Sequence, residues 1–194
     1  MFYIIVVLIS MVIITLVNYL FFVPFFSFTL LEIILAVTLA VVAVIAVDAI
    51  LAFIVRRLLP EKWFGVENTV FTPSKKRTLF YEKLSVKKWK DLVPDLGALT
   101  GFRKNKISDP KNNEFVGRYI LEANFGIAVH LSNMFGGFII MLFYLPYALC
   151  ILLPVAFVNF ILNYMSFITL RYNLPKLKSL YKYNQRNAEK NSKK

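Results

Sequence analysis

The fold is decided by residues 123–170, which read ANFGIAVHLSNMFGGFIIMLFYLPYALCILLPVAFVNFILNYMSFITL and contain no Lys, Arg, Asp or Glu. A helix needs about 20 mostly apolar residues to cross a bilayer, so this run is long enough for two spans. Pro146, with Tyr144 and Tyr147 beside it, favours a turn at the membrane interface in the middle of the run. We therefore predict two transmembrane helices here, at residues 124–144 and 150–170.

The N-terminal part of the chain has the same apolar character. Residues 1–55 contain no Lys or Arg, and Glu32 and Asp48 are their only acidic residues. We expect one span at 2–22 and a second at 30–55, which at helical rise is about 39 Å long and can cross with tilt. A cleaved signal peptide is the competing interpretation of the first span, but the residues before the apolar run carry no basic side chain.

The positive charge lies between and after the apolar runs. Residues 56–122 carry 15 basic and 8 acidic side chains, and residues 171–194 carry 8 basic and one acidic. Because Lys and Arg collect on cytoplasmic loops, this order predicts an all-α integral membrane protein with both termini in the cytoplasm. We divide it into a transmembrane hairpin at 1–55, a basic cytosolic lobe at 56–122, a second hairpin at 123–170 and a basic amphipathic helix with a disordered tail at 171–194.

The composition also limits the possible partners. The net charge of +12 is explained by this topology and by attraction to anionic lipids, so we expect no nucleic-acid partner. A single cysteine, Cys150, excludes a disulfide framework within the chain, and a single histidine, His130, excludes a multi-histidine metal site. No metal is therefore predicted, and the oligomeric state stays open.

Local patterns give more detailed expectations outside the spans. Residues 79–86 partly alternate and fit a short strand, although a helix that continues through the next residues fits as well. A helix is expected from Glu114 into the third span. Asn173 and Pro175 are typical of a helix N-cap and first turn. The helix they would begin has four apolar residues at helical spacing among lysines: Leu174, Leu177, Leu180 and Tyr181. This pattern predicts that the helix lies on the inner membrane face. Disorder is expected from residue 186.

Ionisable side chains inside apolar spans are costly and are candidates for function. Glu32 lies near a span end, where an interfacial carboxylate reaching water is the simplest interpretation. Asp48 lies eight residues before the basic Arg56, and His130 lies eight residues after Glu122, so both are about 12 Å from the same boundary. If their helices touch, the carboxylate orients the imidazole for general-base work, as in a catalytic triad. The alternative is that each makes only a structural helix contact.

Common catalytic motifs do not settle the reaction class. The sequence contains no G-x-S-x-G elbow, P-loop, H-E-x-x-H or H-x-x-x-x-D pattern. The residues alone thus indicate a membrane protein with an Asp/His candidate site.

Two stretches of the sequence resemble a known family. They are YEKLSVKKWKD at 81–91, followed by PDLG at 94–97, and LRYNLPKL at 170–177. Together they are similar to the glycosyl-4,4'-diaponeurosporenoate acyltransferases of staphyloxanthin-type carotenoid synthesis in Gram-positive bacteria, and this resemblance implies a multi-pass protein of a bacterial cell membrane. That family carries E-x-x-R-A-E-x-x-H-W between them. Here Glu122 and His130 match its first Glu and its His, whereas its Arg, second Glu and Trp are replaced by Phe125, Ile127 and Leu131.

The resemblance implies transfer of a fatty acyl group from acyl-CoA or a similar thioester to a hydroxyl of a glycosylated lipid or carotenoid, with no further cofactor. We expect His130 to be the base and Asp48 or Glu122 to orient it. Lys87, Lys88, Lys90 and Arg103 are expected to contact phosphates or lipid head groups, and the other candidate substrate-binding residues are Trp89, Asn124, Arg171, Tyr172 and Asn173. The alternative is a non-enzymatic lipid-binding or assembly subunit of a membrane biosynthetic complex.

Overall fold

The computed structural model describes residues 2–22, 28–93, 107–143 and 147–192, and every regular element among them is helical. The six α-helices are α1 Phe2–Val17, α2 Leu30–Arg57, α3 Lys75–Lys83, α4 Val86–Trp89, α5 Asn113–Gly136 and α6 Leu153–Ser192. Short 3₁₀ segments cover Glu61–Phe64, Lys90–Leu92 and Gly137–Leu142, and π-helical turns cover Asn18–Phe22 and Ala148–Leu152.

Four helical stretches are long and apolar enough to cross a membrane: Tyr3–Phe21, Leu30–Arg57, Asn113–Leu142 and Ala148–Asn191. This number confirms the prediction of an all-helical chain with four span-capable helices. The predicted hairpin turns contain residues 23–27 and 144–146, which lie outside the described residues.

The chain divides into two compact units. The first unit comprises Met1–Ile54 and Val129–Tyr164, and the second comprises Val55–Ala128 and Met165–Lys194. The core of the first unit is formed by small and branched apolar side chains, including Ile33, Val37, Ala40, Ile151 and Ala156. Small residues at such positions let helix backbones approach closely.

The outer faces of α1 and α2 remain uncovered in the first unit. Leu8 on α1 and Leu39 on α2 are more than half exposed, and many other large apolar side chains on these helices are exposed too. A contiguous apolar surface of this kind is what lipid covers in a membrane protein.

The core of the second unit joins the start of α5 to the C-terminal part of α6. Val116 and Ile120 on α5 are fully buried together with Leu174 on α6, and Leu177 packs beside them. Leu180 and Tyr181 are partly buried against the same cluster. The apolar stripe that was expected to lie on the membrane face therefore packs within the second unit.

The structure also corrects the expected start of a new helix at Asn173. Residues 173–175 lie inside α6, which continues without a break to Ser192, through most of the segment for which disorder was predicted. Pro175 removes one backbone N–H and so one hydrogen bond, but the burial of Leu174 and Leu177 on either side holds the segment against α5. Tertiary packing has overridden the local helix-start signal.

The segment 79–86, for which both a strand and a helix were considered, contains no strand: residues 79–83 belong to α3, and α4 begins at Val86. Ser74 caps α3, since its Oγ accepts a hydrogen bond from the backbone N–H of Arg77 at 3.4 Å. Ser85 separates α3 from α4 with φ 53° and ψ 36°, and it is the one non-glycine residue with positive φ among the described residues.

Replacing this serine by glycine should stabilise the protein. A side chain costs about 1–2 kcal/mol in the left-handed region, and part of that gain is offset by the greater freedom of glycine in the unfolded chain. We expect Ser85→Gly to raise the free energy of unfolding by about 0.5–1 kcal/mol, which corresponds to a rise of about 1–4 °C in the melting temperature in detergent. Ser85→Ala keeps the Cβ and is the matched control. Equal melting temperatures for all three proteins would contradict the strain argument.

Candidate functional site

The candidate site lies in the first unit and is organised around the amide of Asn163 on α6. Its Oδ1 lies 2.9 Å from Nδ1 of His130, and its Nδ2 donates to Oδ2 of Asp48 at 3.2 Å. The two residues singled out from the sequence are thus joined through a third side chain. Asn163 is only 7% exposed, so this amide is held in a largely dry environment.

The contacts of Asn163 define which of its ends faces the histidine. Its Nδ2 also lies 3.1 Å from the backbone oxygen of Asn159 and 2.9 Å from Asn159 Oδ1, so the nitrogen end is surrounded by acceptors. The oxygen end then accepts from His130 Nδ1–H. In a neutral imidazole that donates at Nδ1, the lone pair is on Nε2, which is the form required of a general base.

Asn159 supports the same carboxylate from one helical turn earlier on α6. Its Nδ2 lies 3.2 Å from Asp48 Oδ1 and 3.3 Å from the backbone oxygen of Asn133. Both oxygens of Asp48 therefore receive an amide hydrogen bond. The close approach depends on Gly137, because a Cβ there would lie 2.6 Å from Asn159 Nδ2 and 3.3 Å from a methyl group of Val44.

Helix periodicity explains why these side chains meet. Asn159 and Asn163 are four residues apart on α6, and His130 and Asn133 are three apart on α5, so each pair lies on one helix face. Asn133 is 6% exposed, and its Oδ1 is buried without a hydrogen-bond partner. An unsatisfied buried acceptor is costly, so this oxygen is a candidate partner for a donor group of a ligand.

Glu122, the other proposed orienting carboxylate, has a different partner in the second unit. Its Oε2 lies 3.0 Å from Nη2 of Arg56, which also stands over the ring of Phe125 at 5.8 Å from the centroid. Of the two carboxylates, Asp48 is the one that the structure joins to His130 through a shared hydrogen-bond partner.

Several residues proposed to bind substrate are engaged within the second unit. Asn124 is fully buried and donates to the backbone oxygens of Phe64 and Gly65 at 2.8 and 3.3 Å. Arg171 is 8% exposed and donates from Nε to the backbone oxygen of Phe71 at 3.0 Å. These two side chains fasten the segment after α2 to α5 and α6.

The remaining residues proposed to bind substrate differ in their exposure. Lys87 and Lys88 on α4 are exposed, whereas Trp89 is half-buried and donates to the backbone oxygen of Leu84 at 3.0 Å. Lys90 Nζ donates to Oδ1 of Asn173 at 3.3 Å. Tyr172 is buried beneath Lys176, whose Nζ lies 5.1 Å from the centre of the tyrosine ring, and Arg103 lies outside the described residues.

No group of three His, Cys, Asp or Glu side chains that could hold a metal ion is found in the part of the chain that the structure describes. The donor set of the candidate site, one imidazole, one carboxylate and three amides, is suited to proton transfer and hydrogen bonding.

Sequence reasoning missed Asn133, Asn159 and Asn163. Their signal was present in the charge-free run, where amides recur three residues after His130 and at a spacing of four on the next span. A buried amide in an apolar helix needs a partner, so this recurrence points to a shared polar cluster.

Comparison with known proteins assigns the family. The family model of glycosyl-4,4'-diaponeurosporenoate acyltransferases (CrtO) matches residues 60–183, which is well over half of the chain and includes His130, Asn133, Asn159 and Asn163 but not Asp48. No curated protein and no solved structure shows significant similarity to it. This chain, which has four span-capable helices and a polar network that includes His130, therefore belongs to the glycosyl-4,4'-diaponeurosporenoate acyltransferase family, whose members are acyltransferases.

Proposed function

We propose that this protein is a membrane-bound O-acyltransferase. It moves a fatty acyl group from an acyl thioester to a hydroxyl of a glycosylated lipid or carotenoid at the cytosolic leaflet. The observation that carries the proposal is the chain of hydrogen bonds from Asp48 through Asn163 to His130, together with the acyltransferase family of the chain.

In the proposed reaction His130 is the general base. Its Nε2 removes the proton of the acceptor hydroxyl while the hydroxyl oxygen attacks the thioester carbonyl and forms the new C–O bond. The C–S bond then breaks, and the leaving thiolate takes the proton from the imidazolium, so the histidine returns to its starting state. Proton transfer by a positioned side chain contributes about 10²–10⁴-fold to such a rate.

Asn163 and Asp48 act on the base without touching the reacting atoms. The carboxylate accepts hydrogen bonds from the amide nitrogens of Asn163 and Asn159, which polarises the Asn163 amide and makes its oxygen a stronger acceptor. That oxygen holds Nδ1–H of His130 and stabilises the imidazolium that forms after proton transfer. Asn163 is therefore assigned as a positioning residue, with Asp48 as the source of the negative charge.

Asn133 is assigned to the acceptor substrate. Its buried Oδ1 has no hydrogen-bond partner and lies on the face of α5 that carries His130. A sugar presents several hydroxyl donors, so a second hydroxyl of the acceptor satisfies this oxygen while the first is deprotonated.

The proposed membrane arrangement follows from charge. The four apolar helices form two hairpins, the basic segments lie in the cytoplasm with both termini, and exposed Lys87 and Lys88 contact the phosphates of anionic lipids. Each basic residue near such a surface adds about 1 kcal/mol of attraction.

The test is acyl transfer by the purified protein in lipid vesicles. A labelled long-chain acyl-CoA and a glycosylated lipid are supplied, and the expected product is a new ester of the glycolipid. A peracetylated glycolipid, which has no free hydroxyl, is the matched control and should stay unlabelled. No label in either glycolipid, with folded protein present, would favour the alternative of a non-enzymatic lipid-binding or assembly subunit.

A further inference from the structure

An apolar pocket opens in the first unit between α1, α2 and the start of α6. Its wall includes Val7 and Met11 on α1, Val41 and Val44 on α2, and Asn159 on α6. The cavity volume is about 70 Å³. A water-sized group needs about 10–15 Å³ by this measure, so the pocket has room for about five to seven such groups, each close in size to a methylene.

The pocket meets the catalytic network at one residue. Asn159 lines the pocket and also donates to Asp48 Oδ1 at 3.2 Å and lies four residues before Asn163. Apart from Asn159 and Ser10, the side chains that line it are all apolar. The pocket therefore suits a ligand that has an uncharged chain next to a polar end, as an acyl thioester has.

We propose that this pocket holds a segment of the acyl chain of the donor and sets the chain length that the enzyme accepts. The assignment rests on the proposed acyl-transfer function and adds to it the specificity site. Walls on three helices bound the chain, so a larger side chain at any of them shortens the acyl group that fits. One methylene in an apolar pocket changes discrimination by about 10–200-fold.

The experiment compares Val41→Phe with Val42→Phe. Val41 lines the pocket, whereas its neighbour Val42 is 57% exposed on another face of α2 and lines none of it. Each protein in vesicles receives an equimolar mixture of saturated acyl-CoA donors of increasing length. We expect Val41→Phe to lower the ratio of long-chain to short-chain product by about tenfold or more and Val42→Phe to leave it unchanged. An unchanged ratio in Val41→Phe with undiminished total transfer would overturn the assignment.

A second variant tests the pocket if Val41→Phe does not fold, and a second measurement tests it if no acyl group is transferred. If Val41→Phe does not fold, Met11→Ala, which enlarges the pocket, is expected to shift the products towards longer chains, and no shift would count against the pocket. An acyl-CoA with a photoreactive group at the end of its chain separates the two proposals. Crosslinks to the Val7–Met11 segment support the pocket even if no acyl group is transferred, and crosslinks confined to exposed side chains reject it.

Discussion

Replacement of His130 by alanine is expected to lower acyl transfer by about 10²–10⁴-fold, because the variant has no group that can take the proton of the acceptor hydroxyl. His130→Asn is the sharper variant, since its amide can still donate to Asn163 Oδ1 while nothing replaces Nε2. Thermal unfolding of the asparagine variant should therefore stay close to wild type although activity is lost. The measurement is the initial rate of glycolipid acylation in vesicles at equal protein concentration.

Two controls distinguish loss of the base from general damage. Phe135→Leu changes an exposed residue five positions further along α5 and should keep the wild-type rate. Added imidazole should restore part of the rate of His130→Ala, because the small molecule can occupy the space left by the side chain. Full activity in His130→Ala would remove this histidine from the mechanism.

The division of the chain into spans was readable from the sequence because charge is excluded from lipid. Residues 123–170 carry no charge, and residues 1–55 carry only Glu32 and Asp48, so the positions of four span-capable helices followed from composition and length alone. The same exclusion made Asp48 and His130 conspicuous.

The hydrogen-bond network between Asp48 and His130 could not be predicted from the sequence. Asp48 is 115 residues from Asn163, and which faces of two helices meet depends on their rotation, which one sequence does not specify. Neutral amides also attract less attention than charges, although Asn163 is the side chain that joins the carboxylate to the imidazole. The local pattern at Asn173 and Pro175 was misleading for a related reason, since burial of Leu174 outweighed one missing hydrogen bond.

Asp48→Asn is expected to reduce acyl transfer by about 10²–10⁴-fold while the protein remains folded, and by no more than the loss of His130 does, because Asp48 acts only through that base. The carboxylate accepts at both oxygens, from Asn159 and from Asn163. An asparagine at position 48 has no charge and presents an N–H₂ group in place of one acceptor. The Asn163 amide keeps its orientation, because its Nδ2 still faces the two oxygens of Asn159. His130 therefore keeps its tautomer, but the imidazolium that forms on proton transfer loses the negative charge that stabilises it through Asn163.

The tautomer can be measured directly because His130 is the only histidine in the chain. Histidine labelled with ¹⁵N, in protein purified without a histidine tag, gives one pair of ring signals, which should keep their protonated and unprotonated positions in Asp48→Asn. Glu32→Gln is the matched control, since Glu32 is the other carboxylate of α2 and accepts its hydrogen bonds from Thr29. It should change neither the rate nor the spectrum. Exchanged ring signals in Asp48→Asn would contradict this account, since Asp48 would then act by orienting the Asn163 amide.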